Sequence, residues 1–307
     1  MLEVTVPATS ANLGCAFDCA ALALDLDLMV AATPLLTPDL ELSCQGEGAD
    51  VIPRDAANLV VQGIARLHAW AAVPTPGLRI DLRSAIPVGV GLGSSAAAIV
   101  AGLLIGAELS QQRPDDATLI GLAAELDGHP DNVAAAYLGG LVVSAGGSPS
   151  GPVLTRKAEV PPDLEFVVVI PDRPMPTSKS RSVLPDTYSR ADAVHNLQRA
   201  ALLVASAFSG DFDFEPEFFA DRWHQKQRAE LMPGLGECLE LAHPALLGIF
   251  LSGAGSGVMA VTRRAGSEIE QELLQCFHGH GVGARALRLT ADNQGAKGRL
   301  RGKLTPS

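Results

Sequence analysis

The chain has 307 residues, room for about two domains, and its 47% hydrophobic content provides a packed core and excludes a disordered chain. Asp and Glu number 34 against 23 Lys and Arg, and the formal charge of −11 argues against nucleic acid or an anionic membrane surface as partner. Glycine is in excess, 31 residues or about one in ten against a usual ~7%, with no Gly-X-Y period and no Gly/Ser tract, so collagen and linker explanations fail.

In chain order, Leu2 to Val6 alternates as a strand and runs into a Pro7-Ala8-Thr9-Ser10 turn. Leu22 to Ala32 and Leu40 to Cys44 read as further strands. Apolar residues at helical spacing mark a helix over Leu59 to Ala72, with Asn58 as its N-cap. The strand Leu78 to Leu82 precedes a glycine loop and a helix from Ser95 to about Leu109. Helices follow over Asp116 to Leu126 and from near Asn132, then a strand over Leu141 to Ser144. Gly146 to Pro152, rich in Gly, Ser and Pro, is the expected boundary between domains at 1–150 and 151–307. Beyond it come a strand (Leu164 to Ile170), helices over Ala191 to Ala207 and Pro216 to Arg228, and a stretch from His243 that leads into a strand ending at Leu251. A second glycine loop, the strand Val258 to Thr262, a helix over Ser267 to His278 and a last strand from Ala284 to Thr290 complete the chain. Strands and helices mix without a regular βαβα rhythm, which favours an α+β fold.

Ala85 to Ala107 carries no charge over 23 residues, a span that could cross a bilayer. Pro87, five glycines and Ser94-Ser95 interrupt it, so it reads as a strand end, a tight loop and a buried helix. Five scattered cysteines include one C-x3-C (Cys15, Cys19) with no second pair at metal spacing, which argues against zinc and for reduced thiols in a cytoplasmic protein. Glu3 and the lack of a basic start argue against a signal peptide. Lys297, Arg299, Arg301 and Lys303 read as a frayed, solvated tail.

Four stretches carry chemistry. The strongest is Pro87-Val88-Gly89-Val90-Gly91-Leu92-Gly93-Ser94-Ser95, leading straight into an Ala-rich helix. Glycines at alternate positions let the backbone turn and approach a ligand, while the helix start offers free N–H groups to an anion such as phosphate. No Gly-Lys-Ser/Thr follows, so it is not a Walker A loop, and its match to a dinucleotide fingerprint lacks the second acidic-ended strand. The others are Pro7 to Gly14 with Phe17-Asp18, then Glu125-Leu126-Asp127-Gly128-His129-Pro130-Asp131-Asn132, and the glycine loop Ser252 to Gly257. In the third, a helix ends at glycine and another begins at Asp131 or Asn132, and its His and carboxylates suit acid, base, metal or capping roles.

Together these stretches resemble the GHMP kinase superfamily (galactokinase, homoserine, mevalonate and phosphomevalonate kinases), and within it the homoserine kinases. Pro7 to Asp18 is similar to the first motif, Pro87 to Val100 to the phosphate loop, and Ser252 to Gly255 to the third motif; Gly128 to Asn132 is the intact Gly-His-Pro-Asp-Asn. The resemblance implies an N-terminal half like ribosomal protein S5 domain 2 and a ferredoxin-like C-terminal half. It also implies phosphoryl transfer from ATP, with Mg2+, to L-homoserine, and a homodimer.

By the same resemblance, ATP lies on Pro87, Gly89, Val90, Gly91, Leu92, Gly93, Ser94 and Ser95, with Asn58 near the adenine. Arg181 and Arg228 match the arginines that hold the substrate carboxylate, which a guanidinium fork grips bidentately. Asp18 and Asn12 match contacts to the ammonium or hydroxyl, and His129 and Asn132 contacts at the hydroxyl end. Glu125 and Ser95 are assigned to Mg2+, with Asp127 a rival. Mevalonate-kinase-like members carry an Asp base where Asn132 stands, and an amide takes no proton, so the expected mechanism is direct in-line attack without a strong protein base. Another kinase of the superfamily acting on shikimate or mevalonate, or a non-catalytic nucleotide-binding relative, is the alternative; Arg181 and Arg228 suit any carboxylate, whereas Asn132 within Gly-His-Pro-Asp-Asn favours homoserine. Two departures stand out: Gly14-Cys15-Ala16 replaces the usual Gly-Pro-Gly, and Ser256 stands where proline is common.

Overall fold

Ten residues of mostly buried, alternating character form β1 (Leu2–Ala11), which pairs antiparallel with the long β2 (Ala20–Pro34). Then come β3 (Leu40–Gly46), α1 (Leu59–Trp70), β4 (Leu78–Ser84), α2 (Ser94–Leu109), α3 (Asp116–Asp127), α4 (Pro130–Leu138), β5 (Leu141–Ala145) and β6 (Leu154–Ala158). The second half holds β7 (Glu165–Pro171), α5 (Thr177–Ser182), α6 (Arg190–Ser209), α7 (Gln225–Ala229), α8 (Leu235–Leu239), β8 (Leu246–Leu251), β9 (Val258–Thr262), α9 (Gly266–Gly279), β10 (Ala284–Leu289) and β11 (Arg301–Gly302). This computed structural model describes residues 1–146, 152–173, 175 and 177–302. The fold is α+β, as the irregular mixing of elements implied.

The first sheet runs β11-β1-β2-β4-β3, with β5 on β2 and β6 on β5; only β3 and β4 pair in parallel. The second is antiparallel, in the order β10-β7-β9-β8. Helix α2 packs on α1, α3, α4 and β1. That enclosure explains its charge-free sequence: ten of its residues are buried, so no side needs a polar stripe. No described helix is long and apolar enough to cross a membrane. The expected boundary after residue 150 lies outside the described residues; β6, beyond it, still belongs to the first sheet, and β11 returns to β1.

Three expectations need correction. Pro7 to Ser10 is not a turn but the continuation of β1, with a register shift at Pro7/Ala8 that absorbs the proline. Pro216 to Arg228 is not one helix: a 3₁₀ turn at Pro216–Phe219 and α7 flank Asp221, whose carboxylate accepts the N–H groups of Trp223, His224 and Gln225. The basic tail is tied down. Lys297 pairs with Asp116 at 2.5 Å, Arg299 with Asp292 at 2.6 Å, and Arg301 lies in β11; Lys303 falls outside the described residues. All five cysteines are free thiols.

Candidate active site

The two glycine loops meet. Ser252 Oγ donates to Gly91 O at 2.7 Å and exchanges a hydrogen bond with Ser10 Oγ at 2.8 Å, while Gly257 N donates to Val90 O at 3.0 Å. Contact is too close for any side chain: a Cβ on Gly91 would lie 1.9 Å from Ser252 O, and one on Gly93 would lie 1.9 Å from Thr9 Oγ1. Both residues also need positive φ, +84° and +67°. Gly93 caps α2 without a side-chain bond, leaving the first-turn N–H groups of α2 to face a cavity of about 430 Å³.

At one end of this cavity Val51, Ile52, Leu59, Leu82 and Ala98 form an apolar wall. Asn58 stands beside them as the N-cap of α1, its Oδ1 accepting Val60 N at 2.9 Å and its Nδ2 donating to Pro53 O at 2.8 Å. In front of α2, Ser95 Oγ donates to Asp127 Oδ1 at 3.0 Å. Burial pushes the Asp127 carboxyl above its ordinary range.

The far end is built on charge. Asn12 and Asp18 both adopt positive φ (73° and 52°), a strained backbone that holds their side chains together: Asp18 N donates to Asn12 Oδ1 at 2.9 Å, and Asn12 Nδ2 donates to Gly253 O at 2.8 Å. Arg181 Nη2 reaches both Asp18 oxygens at 3.0 and 3.1 Å. Arg228, only 2% exposed, is held by Ser180 O (3.1 Å) and Gly253 O (3.2 Å). Its Nη1 also lies 3.1 Å from Nδ1 of the buried His224, whose Nε2 is 2.8 Å from Gly14 O. Only the tautomer with the proton on Nε2 satisfies both partners, so His224 is neutral and orients the guanidinium. The Phe17 ring lies under both arginines, 5.7 and 5.4 Å from centroid to Cζ. Burial, and then the neighbouring Arg181, bring the Arg228 pKa down to about 10.

Between the two ends, Thr9 Oγ1 donates to Asn132 Oδ1 at 2.8 Å, and Asp131 Oδ1 accepts Asn132 N at 2.6 Å. Burial lifts the Asp131 carboxyl from 3.8 to about 7. His129 lines the same cavity as N-cap of α4, without a side-chain capping bond.

Family models for the GHMP kinases match at both ends of this architecture: the N-terminal domain over residues 58–140 and the C-terminal one over 204–279. A homoserine kinase of Desulfitobacterium hafniense is 37% identical, covering 96% of this chain and 99% of its own. The chain belongs to the GHMP kinase family. A homoserine kinase of Solibacter usitatus is 38% identical over 95% of each chain. The crystal structure of homoserine kinase from Cytophaga hutchinsonii superposes with a TM-score of 0.85 at 27% identity, covering 96% of both chains. As a GHMP kinase with such relatives, the chain is an ATP-dependent enzyme acting on an alcohol group.

Within this GHMP kinase, one cavity brings together Asn12, Asp18, His129, Asn132, Arg181 and Arg228 with Asn58, Gly89, Gly91, Leu92, Gly93, Ser94 and Ser95. Three expected residues lie off it. Glu125 lies off this cavity and pairs with Arg66 at 2.6 Å, because two residues along α3 is about half a turn and sets it on the face opposite Asp127. Pro87 and Val90 line the opposite side of the loop, toward Ile170 and Gly283. Reasoning from sequence placed Thr9, Ser10, Asp131 and Ser252 within the motif stretches without assigning any of them a specific role at the site, and it missed His224. His224 carried a signal: it lies four residues before Arg228, the spacing that brings side chains onto one helix face.

Proposed function

We propose that the chain transfers the γ-phosphoryl group of ATP to the terminal hydroxyl of L-homoserine, giving ADP and O-phospho-L-homoserine, the activity carried by its full-length relatives. The observation that carries this reading is the Asp18–Arg181 pair beside Arg228. A zwitterionic amino acid can exchange partners with it: the substrate ammonium takes the place of Arg181 on Asp18, and the substrate carboxylate takes the place of Asp18 on the two guanidinium groups. Mevalonate and shikimate carry a carboxylate but no ammonium, and would leave Asp18 without a cation.

The residues divide the work along the cavity. The apolar wall and Asn58 receive the adenine. The N–H groups of the phosphate loop and the start of α2 cradle the phosphates, which matters in a chain of charge −11 because general attraction is absent. The Ser95 hydroxyl and the Asp127 carboxylate fit Mg2+. A carboxylate raised by burial is relieved by a cation, and a two-residue set suits an ion that keeps waters and phosphate oxygens as its other ligands. When bound there, Mg2+ neutralises charge on the transferred phosphate. Asn12 and Asp18 hold the ammonium end; His129 and Asn132 hold the hydroxyl. Thr9 occupies the Asn132 carbonyl and one amide N–H reaches Asp131 Oδ1 at 3.4 Å, which leaves the other N–H to hold the hydroxyl for in-line attack. Positioning and charge stabilisation supply most of the rate in such a transfer.

One observation favours a second reading of the proton step: Asp131, in the cavity and titrating near 7, has the affinity of a general base. A reducing cytoplasmic setting and a homodimer belong to the same proposal. The reaction test is incubation of the folded chain with Mg·ATP and L-homoserine, with the product identified by phosphorus NMR. Turnover of shikimate or mevalonate with homoserine untouched would overturn the proposal.

A further inference from the structure

Helix α6 runs 20 residues and buries three of them, Asn196, Leu203 and Ala207. Asn196 is the polar one, and it is 1% exposed. An amide enclosed in this way costs stability unless its donors and acceptor find partners, and asparagine is a poor helix former besides. Every partner of this side chain lies outside the helix. Nδ2 donates to Asp221 Oδ1 at 2.7 Å and to Cys15 O at 3.2 Å, and Oδ1 accepts Arg222 N at 2.9 Å.

These partners belong to the two segments that carry the charged end of the cavity. Cys15 sits in the loop between β1 and β2, midway between Asn12 and Asp18. Asp221 has a fully enclosed side chain and accepts the N–H groups that lead into α7, the helix of Arg228. At the front of the site the two segments meet through Gly253 O, which accepts Asn12 Nδ2 at 2.8 Å and Arg228 Nη1 at 3.2 Å. Behind it, His224 Nε2 meets Gly14 O at 2.8 Å and Cys15 Sγ reaches Phe218 O at 3.0 Å. Asn196 closes this rear seam and does not itself line the cavity.

We propose that Asn196 is a positioning residue, which sets the register between the loop that holds the substrate ammonium and the helix that holds the carboxylate. The proposal rests on the homoserine reading. In an α-amino acid both charged groups are attached to one carbon, so Asp18 and Arg228 must stand at one fixed separation to meet both. One amide fastened to both segments from a long helix keeps that separation, as a supporting residue does for the groups that touch a ligand. A substrate with a charge at one end only needs no such register. ATP needs none either, since its phosphates lie on the loop that begins α2.

The test is steady-state kinetics on the full chain with Mg·ATP, L-homoserine and the methyl ester of homoserine, which keeps the ammonium and lacks the carboxylate charge. Asn196→Ala removes the tie but leaves Asp221 its three backbone N–H partners, so the turn into α7 stays capped. It should raise the KM for homoserine roughly 10- to 100-fold and change kcat and the KM for ATP by no more than about threefold. The preference for homoserine over the ester, taken as the ratio of kcat/KM values, should fall by a similar factor. That ratio does not depend on how much of the preparation is folded. Asn196→Asp keeps the shape but sets a second carboxylate against Asp221 and an acceptor against Cys15 O, and should lower the ratio at least as far. Leu203→Val loosens the same buried face two turns further along α6 and should leave the ratio unchanged. An unchanged ratio in Asn196→Ala or Asn196→Asp, or an equal fall in Leu203→Val, would overturn this inference and leave the homoserine reading in place. A wild type with no preference for homoserine over the ester would overturn both.

Discussion

Arg228 Nη1 donates to His224 Nδ1 across 3.1 Å, inside a shell where both side chains are buried. The imidazole spends its one proton on Gly14 O, so it can orient the guanidinium only while neutral. His224→Phe keeps a ring in the space but leaves two buried donors or acceptors unpaired, at a cost of about 1–3 kcal/mol. The KM for homoserine should therefore rise roughly tenfold or more, with the KM for ATP little changed. Steady-state kinetics in both substrates check it.

The same histidine sets a pH dependence. Burial is the largest influence and holds its pKa below the ordinary 6.5, opposed by Asp221. The unfolded chain therefore takes up this proton at higher pH than the folded one. The contribution to stability is complete above 6.5 and is lost as pH falls through the lower folded value. Denaturant titrations should show the wild type losing stability below that point more steeply than His224→Phe.

On the proposed Mg2+ site, Asp127 and Glu125 should separate by function. Asp127→Asn should raise the Mg2+ concentration for half-maximal velocity at least ~10-fold. Glu125→Gln should leave it unchanged, since Glu125 makes a half-exposed pair with Arg66 worth at most about 1 kcal/mol of stability.

Gly91→Ala would drive a methyl against the Ser252 carbonyl and force a side chain into positive φ. The second loop must move, which should cost on the order of 2–4 kcal/mol and raise the KM for ATP. Denaturant unfolding and ATP titration read the two effects.

Asp131 decides the proton step. Its pKa is raised by burial, so the stabilisation of its acid form is complete below 3.8 and is lost as pH rises through about 7. Direct in-line attack predicts that Asp131→Asn keeps kcat within about tenfold and gains stability above pH 7. Loss of a base would instead cost ~10²–10⁴ in kcat.

Much of this site was legible in the sequence because its parts are short and local. The phosphate loop, the Asn58 cap and Gly128 to Asn132 each declare themselves within a dozen residues. What stayed hidden depends on distant partners. Thr9 and Ser10 read as turn residues because buried hydroxyls make sense only beside Asn132 and Ser252, more than a hundred residues away. The sequence favoured Glu125 over its rival Asp127, and only the direction of α3 shows that Asp127, not Glu125, reaches Ser95. The break at Asp221 was hidden by good helical spacing on either side, since capping by its carboxylate is a matter of backbone geometry. The tail looked free because Asp27, Asp116 and Asp292 had no visible link to Lys297 and Arg299.

The most direct test of the account is kcat/KM for L-homoserine against its methyl ester, mevalonate and shikimate, measured with Mg·ATP on one folded preparation. The ester lacks the carboxylate for Arg181 and Arg228; mevalonate and shikimate lack the ammonium for Asp18. The account predicts that homoserine exceeds each by at least ~10-fold, the worth of one charge-assisted contact. Equal turnover of the ester, or preference for either hydroxy acid, would contradict it.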